Sequence, residues 1–331
     1  MGELHYFLGV QVTKTAGGGL ILSQEKYVRD LLKKADMENC KPCQTPLPSS
    51  VKFSAFGGSV FKNPKLYRSV VGRLQYLTIT RPELAYSVGK VSQFMQAPLD
   101  EHWKPVKGCL DIAYSDSDWE GDPDDRKFTG GFCVFLGENL ISWSSKKQGA
   151  VARSSTEAEY RAMADLVAEL IWINSLMIEL RAKISTPPSM FCDNLSTVLL
   201  AANPILHSKS KHFETDLHFV RDYVSKQVVQ VSHVPGTVKL ADVLTKPLPS
   251  AAFLAFRSKL MVEDLKKLNV AGLNQEESRE EAVKEHPKNS KRNNEATTER
   301  PISRGHDGVV QLTSLKQQQK GQSVGVMIEL S

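Results

Sequence analysis

Four acidic residues of this sequence stand where a strand is predicted to end or a helix is predicted to begin. In chain order they are Asp116, Glu159, Asp193 and Asp242. Because strand ends and helix starts gather at one edge of an α/β sheet, four carboxylates from four separate elements could converge there. Taken singly, each has an ordinary alternative role, as a turn or cap residue or as a charge that favours a helix start.

Converging carboxylates would define the chemistry of such an edge. They repel one another and raise each other's pKa unless a cation neutralises them. Carboxylate oxygens suit Mg²⁺ or Mn²⁺, and two such ions about 4 Å apart activate a water and stabilise the leaving oxygen of a phosphodiester. The joint placement therefore predicts a site for two Mg²⁺ or Mn²⁺ ions, with these four carboxylates as its ligands.

Other polar side chains accompany these acids. His233 follows the last predicted strand, where its near-neutral pKa suits proton transfer or product release; a half-exposed loop histidine is the alternative. Two basic groups could contact the phosphates of a duplex, or they could form a solvated charged face. The first group is Lys146, Lys147 and Arg153, and the second is Lys209, Lys211 and His212.

The elements that would position these residues begin near residue 110. Strands are predicted at 110–115, 128–136, 139–143, 189–192 and 227–233. Ser154 and Glu157 form a capping-box pattern that opens a long helix to about residue 181. Shorter helices are predicted near 196–202, 213–226, 240–247 and 251–267. This order predicts an α/β domain.

Upstream, the sequence predicts a hairpin followed by helices. β-forming residues at 5–13 and 20–22 flank a glycine-rich turn, and Ser23 can cap the next helix. A loop rich in Pro, Ser and Gly then leads to helices predicted at 67–78 and 82–95. At the other end, the chain has no aromatic residue after Phe256, and its charged, polar composition predicts disorder from about residue 270.

Composition and charge bound the class of protein. With 41% apolar and 24% charged residues in 331, the chain resembles an ordinary globular protein, and a net charge of +5 permits nucleic-acid binding. Cys40 and Cys43 form a C-x-x-C without a second ligand pair, which disfavours a zinc site. No signal peptide or membrane-spanning run is visible, so we expect an intracellular protein, cytoplasmic or nuclear, without a membrane partner.

Six motifs, in order, resemble the RNase H region of copia-type LTR retrotransposon Pol polyproteins. They are 114–122 (YSDSDWEGD), 141–148 (ISWSSKKQ), 154–160 (SSTEAEY), 192–194 (CDN), 211–214 (KHFE) and 240–248 (LADVLTKPL). The resemblance implies an RNase H-like fold, a five-stranded mixed sheet flanked by helices. It also implies a metal-dependent endonuclease, a ribonuclease H whose substrate is the RNA strand of RNA–DNA hybrids.

The resemblance also assigns roles to individual residues. It implies that the metal-binding, catalytic carboxylates are Asp116, Glu159, Asp193 and Asp242, and it places His233 near the site. Two nearby acids compete for the first two roles. Asp116 is preferred to Asp118 because it directly follows the predicted strand, and Glu159 is preferred to Glu157 because Ala-Glu-Tyr resembles the family's metal-ligand turn.

The N-terminal region resembles the end of the reverse transcriptase of the same polyproteins, in the runs 2–9 (GELHYFLG), 67–77 (YRSVVGRLQYL) and 81–83 (RPE). The sequence therefore predicts three parts. Residues 1–107 are a reverse transcriptase remnant of palm hairpin and thumb and connection helices, 108–268 an RNase H-like domain, and 269–331 a disordered charged tail. No Asp-Asp pair lies in a strand-turn-strand setting, so no polymerase activity is expected. The polyprotein's fingers, palm and integrase are possible partners by family.

Departures from the family pattern define the alternative. Near Lys107 and Gly108 the chain lacks the helix and connecting segment usual in the family, which predicts a shortened first strand. A late start, this deletion and an unfamiliar tail are typical of a degenerate genomic copy. The alternative function is therefore an inactive relic that at most binds nucleic acid. A cellular RNase H-like nuclease is disfavoured by the polymerase-like segment upstream.

Overall fold

A computed structural model of the chain describes residues 4–15, 18–38, 46–47, 54, 57–114, 128–182, 184, 186–203, 213–236, 239–264, 309–313 and 326–330. The fold is mixed α/β. Eight α-helices and two sheets of five strands each lie within these ranges. None of the helices in the described ranges is long and apolar enough to cross a membrane.

The first sheet is built on the predicted hairpin, which the structure confirms. Its strands are β1 (Tyr6–Phe7), β2 (Val10–Lys14) and β3 (Leu20–Ser23), with β2 and β3 paired antiparallel. The turn between β2 and β3 is closed by Thr15, whose hydroxyl accepts a hydrogen bond from the Gly19 amide, and Gly18 there adopts a positive φ of 79°. Two later strands, β8 (Val262–Asp264) and β9 (Val309–Thr313), extend the sheet in the order β1-β2-β3-β9-β8.

Four helices follow the hairpin and form a layer. They are α1 (Glu25–Lys34), α2 (Pro64–Leu77), α3 (Ala85–Ser92), which continues a 3-10 turn at Pro82–Leu84, and α4 (Asp100–Tyr114). Asn63 caps α2 by accepting a hydrogen bond from the Leu66 amide, and a proline stands at the first helical position. The core of the layer includes Val70, Leu74 and Val91, all fully buried.

The second sheet carries the strands that matter for the site. In chain order these are β4 (Thr129–Leu136), β5 (Asn139–Lys147), β6 (Ser189–Cys192), β7 (Gln230–His233) and β10 (Val326–Leu330). The spatial order is β5-β4-β10-β6-β7. Strand β4 is antiparallel to both β5 and β10, whereas β10, β6 and β7 run parallel.

Helices cover both faces of this sheet. The remaining elements are α5 (Ser155–Glu179), α6 (Leu195–Ala202), α7 (Glu214–Ser225), a 3-10 helix at Leu240–Leu244, and α8 (Ser250–Lys259). Because side chains alternate along a strand, β4 contributes side chains to two cores, one on each face of the sheet. Phe132 and Val134 pack in the core formed by α5 and α7, whereas Cys133 and Phe135 pack in the core of the N-terminal helices.

Two predictions from the sequence are wrong. The strand predicted at 110–115 is not formed, because 110–114 are the last turns of α4. Helical spacing buries Val106, Cys109 and Leu110 in the N-terminal core, and acidic residues in the first turn favour the helix. The tail predicted to be disordered contains strands β9 and β10, whose apolar and β-branched residues pair with β3 and β8, and with β4 and β6.

The other strands and helices are formed close to the predicted positions, with one difference at the last helix. Predicted to reach about residue 267, α8 ends at Lys259. The chain then turns at Met261, whose φ is 62°, and forms β8.

A buried ion pair links the turn after α2 to the start of α3. The Arg81 guanidinium donates to the Glu83 carboxylate at 2.5 Å, and both side chains are almost fully buried. We expect Glu83→Gln to lower the free energy of unfolding by about 3 kcal/mol, because it leaves the guanidinium buried without its counter-charge. Urea unfolding followed by circular dichroism measures the change.

The control for this substitution is Glu138→Gln, made in an exposed turn. It should leave the unfolding midpoint within error of the unmodified chain. An equal, small effect of both substitutions would contradict a stabilising role for the Arg81–Glu83 pair.

A second prediction concerns β10. This strand supplies hydrogen bonds to the facing edges of β4 and β6, so its removal exposes both edges. A chain ending at residue 320 should lose more than about 2 kcal/mol of unfolding free energy, since several backbone hydrogen bonds of about 1 kcal/mol each disappear. Deletion of 280–290, a segment of the same length, is the control. Equal urea midpoints for the two shortened chains would show that β10 does not stabilise the sheet.

Candidate active site

Two of the predicted acidic residues meet at one edge of the second sheet. Glu159 lies in the first turns of α5, and Asp193 directly follows β6. Between them lies the ammonium group of Lys239, whose Nζ is 3.0 Å from Glu159 Oε1 and 2.5 Å from Asp193 Oδ1. The Lys239 side chain is only 5% exposed, so this contact takes place in a largely dehydrated environment.

The start of α5 explains why Glu159 rather than Glu157 faces this edge. Ser154 caps the helix and accepts a hydrogen bond from the Glu157 amide at 3.1 Å. The carboxylate of Glu157 turns back over the helix start, where it accepts from the Arg153 amide and pairs with Arg161 at 2.7 Å. Glu157 is thus engaged in capping, and Glu159, two residues further along, is left to face Asp193.

Three consecutive residues at the end of β6, in the run Cys-Asp-Asn, make different contacts. Cys192 is fully buried, and its thiol lies 4.0 Å from Glu159 Oε2. Asp193 points its carboxylate at Lys239. Asn194 caps α6 by accepting a hydrogen bond from the Thr197 amide at 3.1 Å. The cap fixes the backbone directly after Asp193 and thereby the position of its carboxylate.

The segment after β7 passes over Asp193. His233 pairs with Cys192 in the ladder, and its Nε2 lies 3.2 Å from the Asp193 carbonyl oxygen on the exposed side of the site. Next, the Val234 amide donates to the Cys192 carbonyl at 3.0 Å. A Cβ at Gly236 would lie 3.2 Å from Asp193 Oδ2, so glycine allows the close approach of this segment to the carboxylate.

Asp242 lies in the buried 3-10 helix three residues after Lys239. Its carboxylate pairs with Lys246 at 2.6 Å. Its negative charge is close enough to Glu159 to raise the pKa of that carboxyl. The structure therefore brings Glu159 and Asp193 into direct contact with one ammonium group and keeps Asp242 nearby on its own lysine.

The electrostatics of the site follow from burial and from these charges. Burial raises the pKa of Glu159 above its ordinary value, although Lys239 opposes the change. Burial alone would lower the pKa of Lys239, but the charges of Glu159 and Asp193 and the hydrogen bonds to them raise it instead. Burial, together with the charge of Glu159, raises the pKa of the Cys192 thiol to about 12.

The other predicted site residues fall into two groups. Asp116, its competitor Asp118, and the basic residues Lys209, Lys211 and His212 lie outside the described residues. In the first basic group, Lys146 and Arg153 are exposed, and Lys147 donates to Gln93 at 2.8 Å.

A cleft of about 220 Å³ opens beside the first basic group. It is lined by Lys146, Lys147, Gln148, Gly149, Arg161, Asp165 and Asp216. Three basic side chains against two acidic ones make the cleft a candidate surface for a phosphate backbone.

Sequence reasoning did not identify Lys239 as a site residue. It precedes Asp242 by three residues, and a lysine there is typical of a solvated surface position. The turn at 234–236 brings Gly236 close to Asp193. Lys239 follows this turn, and its ammonium group contacts the Asp193 carboxylate. No spacing rule in the sequence connects Lys239 with Glu159, which lies 80 residues away in the chain.

The donor atoms present suit a divalent cation. One oxygen of Glu159, one oxygen of Asp193 and the Cys192 sulfur all lie within 4.8 Å of one another. Two carboxylates from separate elements, with a third close by, form a hard oxygen set of the kind that Mg²⁺ or Mn²⁺ prefers.

The chain is similar over most of its length to retrovirus-related Pol polyproteins of transposons. It is 45% identical over 280 residues to those of transposons RE1 and RE2 from Arabidopsis thaliana, which covers 78% of this chain and 19% of each polyprotein. It is 33% identical over 282 residues to the polyprotein of transposon TNT 1-94 from Nicotiana tabacum, covering 76% of this chain and 21% of that protein.

A shorter relative, the uncharacterized mitochondrial protein AtMg00810 of Arabidopsis thaliana, is 45% identical over 192 residues, or 52% of this chain and 79% of that protein. The chain belongs to the copia-type retrovirus-related Pol polyproteins of transposons. It spans about a fifth of the length of the Pol polyproteins it matches. No protein-family model and no solved structure matches it.

The environment of Cys192 leads to a prediction about its reactivity. Because the thiol is fully buried and its pKa is raised to about 12, almost no reactive thiolate is present at neutral pH. We expect Cys192 in the native chain to resist alkylation by iodoacetamide near pH 8, and to react readily once urea unfolds the chain. Mass spectrometry of the peptide containing Cys192 measures the labelled fraction. Equal labelling rates in both states would contradict the buried position of this thiol.

Proposed function

We propose that this chain contains a metal-dependent ribonuclease H that cleaves the RNA strand of RNA–DNA hybrids. The observation that carries the proposal is the meeting of Glu159 and Asp193, from the start of one helix and the end of one strand, with Asp242 close by. Lys239 balances these charges in the folded chain, and a divalent cation that replaced its ammonium group would bind the same oxygens. Hydrolysis of a phosphodiester is the chemistry that such a site supports.

The family supports this proposal. The relatives' names identify them as retrovirus-related Pol polyproteins, and three of the six motifs that resemble an RNase H region contain Glu159, Asp193 and Asp242. We further propose that the second sheet and the helices on its faces are an RNase H-like fold. Its mixed strand order, with one antiparallel hairpin followed by parallel strands, is compatible with that assignment.

The residues that would hold the metal are the four predicted carboxylates. Glu159 and Asp193 provide adjacent oxygens, Asp242 provides a third carboxylate on the buried 3-10 helix, and Asp116 is proposed as the fourth ligand on the resemblance alone. When bound, Mg²⁺ or Mn²⁺ would supply an activated water and neutralise charge at the leaving oxygen, with two ions sharing the carboxylates.

His233 is the group best placed to handle protons at this site. Its ring is held near the Asp193 backbone by the 3.2 Å contact, while the side chain remains exposed to solvent. An exposed imidazole in that position can exchange protons between the reacting phosphate and water. It can also help product leave, because no buried contact needs to break when the ring moves.

The substrate would be recognised through its backbone. A hybrid duplex offers shape, phosphates and 2′-hydroxyl groups rather than readable bases. Lys146 and Arg153 are exposed near the start of α5, and Arg161 and Lys147 line the adjacent cleft. These residues could hold phosphates while the scissile bond lies over Glu159 and Asp193. Lys209, Lys211 and His212 are proposed as further phosphate contacts on the sequence alone.

The N-terminal part is proposed to derive from the end of a reverse transcriptase. Its helices bury one face of the second sheet, so they would act as a support for the nuclease part. We expect no polymerase activity from this chain, because no Asp-Asp pair of its sequence lies in a strand-turn-strand setting; Asp124-Asp125 is predicted to lie in a loop. Other Pol segments, such as the polymerase fingers and palm or an integrase, are possible partners.

A second candidate function is that of an inactive relic that at most binds nucleic acid. One observation favours it: 110–114, predicted to be the strand that leads to Asp116, belong to α4. If the Asp116 carboxylate does not reach the site, the remaining three carboxylates would bind metal weakly, and the chain would cleave the hybrid slowly.

The first test is cleavage of a labelled RNA–DNA hybrid by the full chain with Mg²⁺ or Mn²⁺. We expect cleavage that EDTA abolishes and that Asp193→Asn lowers at least about 100-fold, because a metal-facing charge is lost. The matched control is Asp222→Asn, an aspartate near the end of α7 whose 2.7 Å ion pair with Lys226 is exposed to solvent and contributes little. It should cleave like the unmodified chain.

The outcome decides between the two candidates. If the full chain has the circular dichroism of a folded protein and yet leaves the hybrid intact with either metal, the chain is the inactive relic. If cleavage is present but Asp193→Asn retains it, the proposed site is wrong and the activity comes from elsewhere or from a contaminant.

A further inference from the structure

Lys239 occupies the position in the site where a cation is needed. Its Nζ hydrogen-bonds Glu159 Oε1 and Asp193 Oδ1, the same two side chains whose oxygens lie close enough together to share one ion. The lysine is 4% exposed as a whole residue, so water screens these contacts little. The protein thus provides its own positive charge at the centre of the carboxylate group.

Two backbone hydrogen bonds hold the main chain of Lys239, whereas its side chain is anchored through the ammonium group. The Lys239 amide is 3.4 Å from the Gly236 carbonyl, and its own carbonyl lies 3.4 Å from the Asp242 amide. The five residues of the 3-10 helix that follow it are all buried. A lysine side chain has a flexible four-carbon stem, so its ammonium group can leave the carboxylates without movement of this anchored backbone.

An ammonium group and a divalent ion exclude each other at this place. Both need the same oxygens of Glu159 and Asp193, and two positive charges a few ångströms apart repel strongly in a buried site. A metal ion that binds both carboxylates must therefore first displace Lys239. Asp242 differs, because its carboxylate pairs with Lys246, whose side chain is 55% exposed and can be exchanged for another cation at small cost.

We propose that Lys239 is a built-in competitor of the divalent cation, an internal counter-ion that stabilises the metal-free site and is displaced when the metal binds. The proposal rests on the proposed metal site but not on hybrid cleavage. Lys239 would then lower the affinity of the site for metal. Filling the site would need a higher metal concentration than the carboxylates would need without the lysine.

The test is Mn²⁺ binding to the full chain, measured from the free Mn²⁺ signal in electron paramagnetic resonance. Lys239→Met removes the charge and keeps a side chain of similar length. We expect it to bind Mn²⁺ at least about tenfold more tightly than the unmodified chain, because the competing charge is gone. Adding Glu159→Gln to Lys239→Met should abolish the gain, since one of the two carboxylates is then lost.

The matched control is Lys246→Met, the same substitution at the lysine that pairs with Asp242. It should change Mn²⁺ affinity by less than about threefold, because an exposed ion pair contributes little. A thermal unfolding series gives a second measurement. Metal-free Lys239→Met should melt below the unmodified chain, since Glu159 and Asp193 then repel each other, and Mn²⁺ should raise its melting temperature more than that of the unmodified chain.

Lys239→Gln covers the case in which the methionine variant does not fold, because glutamine can still donate to both carboxylates. Equal or weaker Mn²⁺ binding by a folded Lys239→Met or Lys239→Gln, compared with the unmodified chain, would overturn the proposal. If the unmodified chain cleaves the hybrid while these variants show no gain in affinity, the inference fails and the proposed function stands. If the variants gain Mn²⁺ affinity but no chain cleaves the hybrid, the inference stands and the proposed function fails.

Discussion

Two ionised carboxylates that lie side by side at the edge of a sheet repel each other unless a positive charge lies between them. In this protein Lys239 provides that charge for Glu159 and Asp193, at 3.0 and 2.5 Å. The arrangement of the edge follows from this requirement. The turn after β7 must come close to Asp193, which needs glycine at position 236, and the 3-10 helix must be buried so that it holds the lysine in place.

The sheet determines which residues can meet there. Strand β6 ends at Cys192, directly before Asp193, and β7 ends at His233, which pairs with Cys192 in the parallel ladder. Strand β4 faces two cores at once, so the N-terminal helices and the α5 helix are held on opposite faces of one sheet. The position of the site therefore depends both on the second sheet and on the helices that precede it.

Strand β10 changes how the family resemblance can be interpreted. It lies between β4 and β6, at the centre of the sheet, and comes from the far end of the chain. The segment that the sequence predicts as a strand before Asp116 is helical through residue 114. A strand that immediately precedes β4 in the chain would pair with the edge of β4 not covered by β5, which is the edge that β10 covers. The segment that pairs with β4 at the centre of the sheet is therefore β10.

The sequence by itself determined the local elements and the identity of the acids. The hairpin around Gly18, the cap at Ser154 and the strands β4 to β7 follow from turn chemistry, capping and periodicity, which act over a few residues. Tertiary structure decided the features that depend on contacts between segments far apart in the chain. Residues 110–114 are helical because the helix buries Cys109 and Leu110. Strand β10 pairs with the edge of β4 that β5 leaves open. Lys239 lies between carboxylates from two other elements. Burial and charge balance are satisfied by the folded chain as a whole, so no local pattern could reveal them.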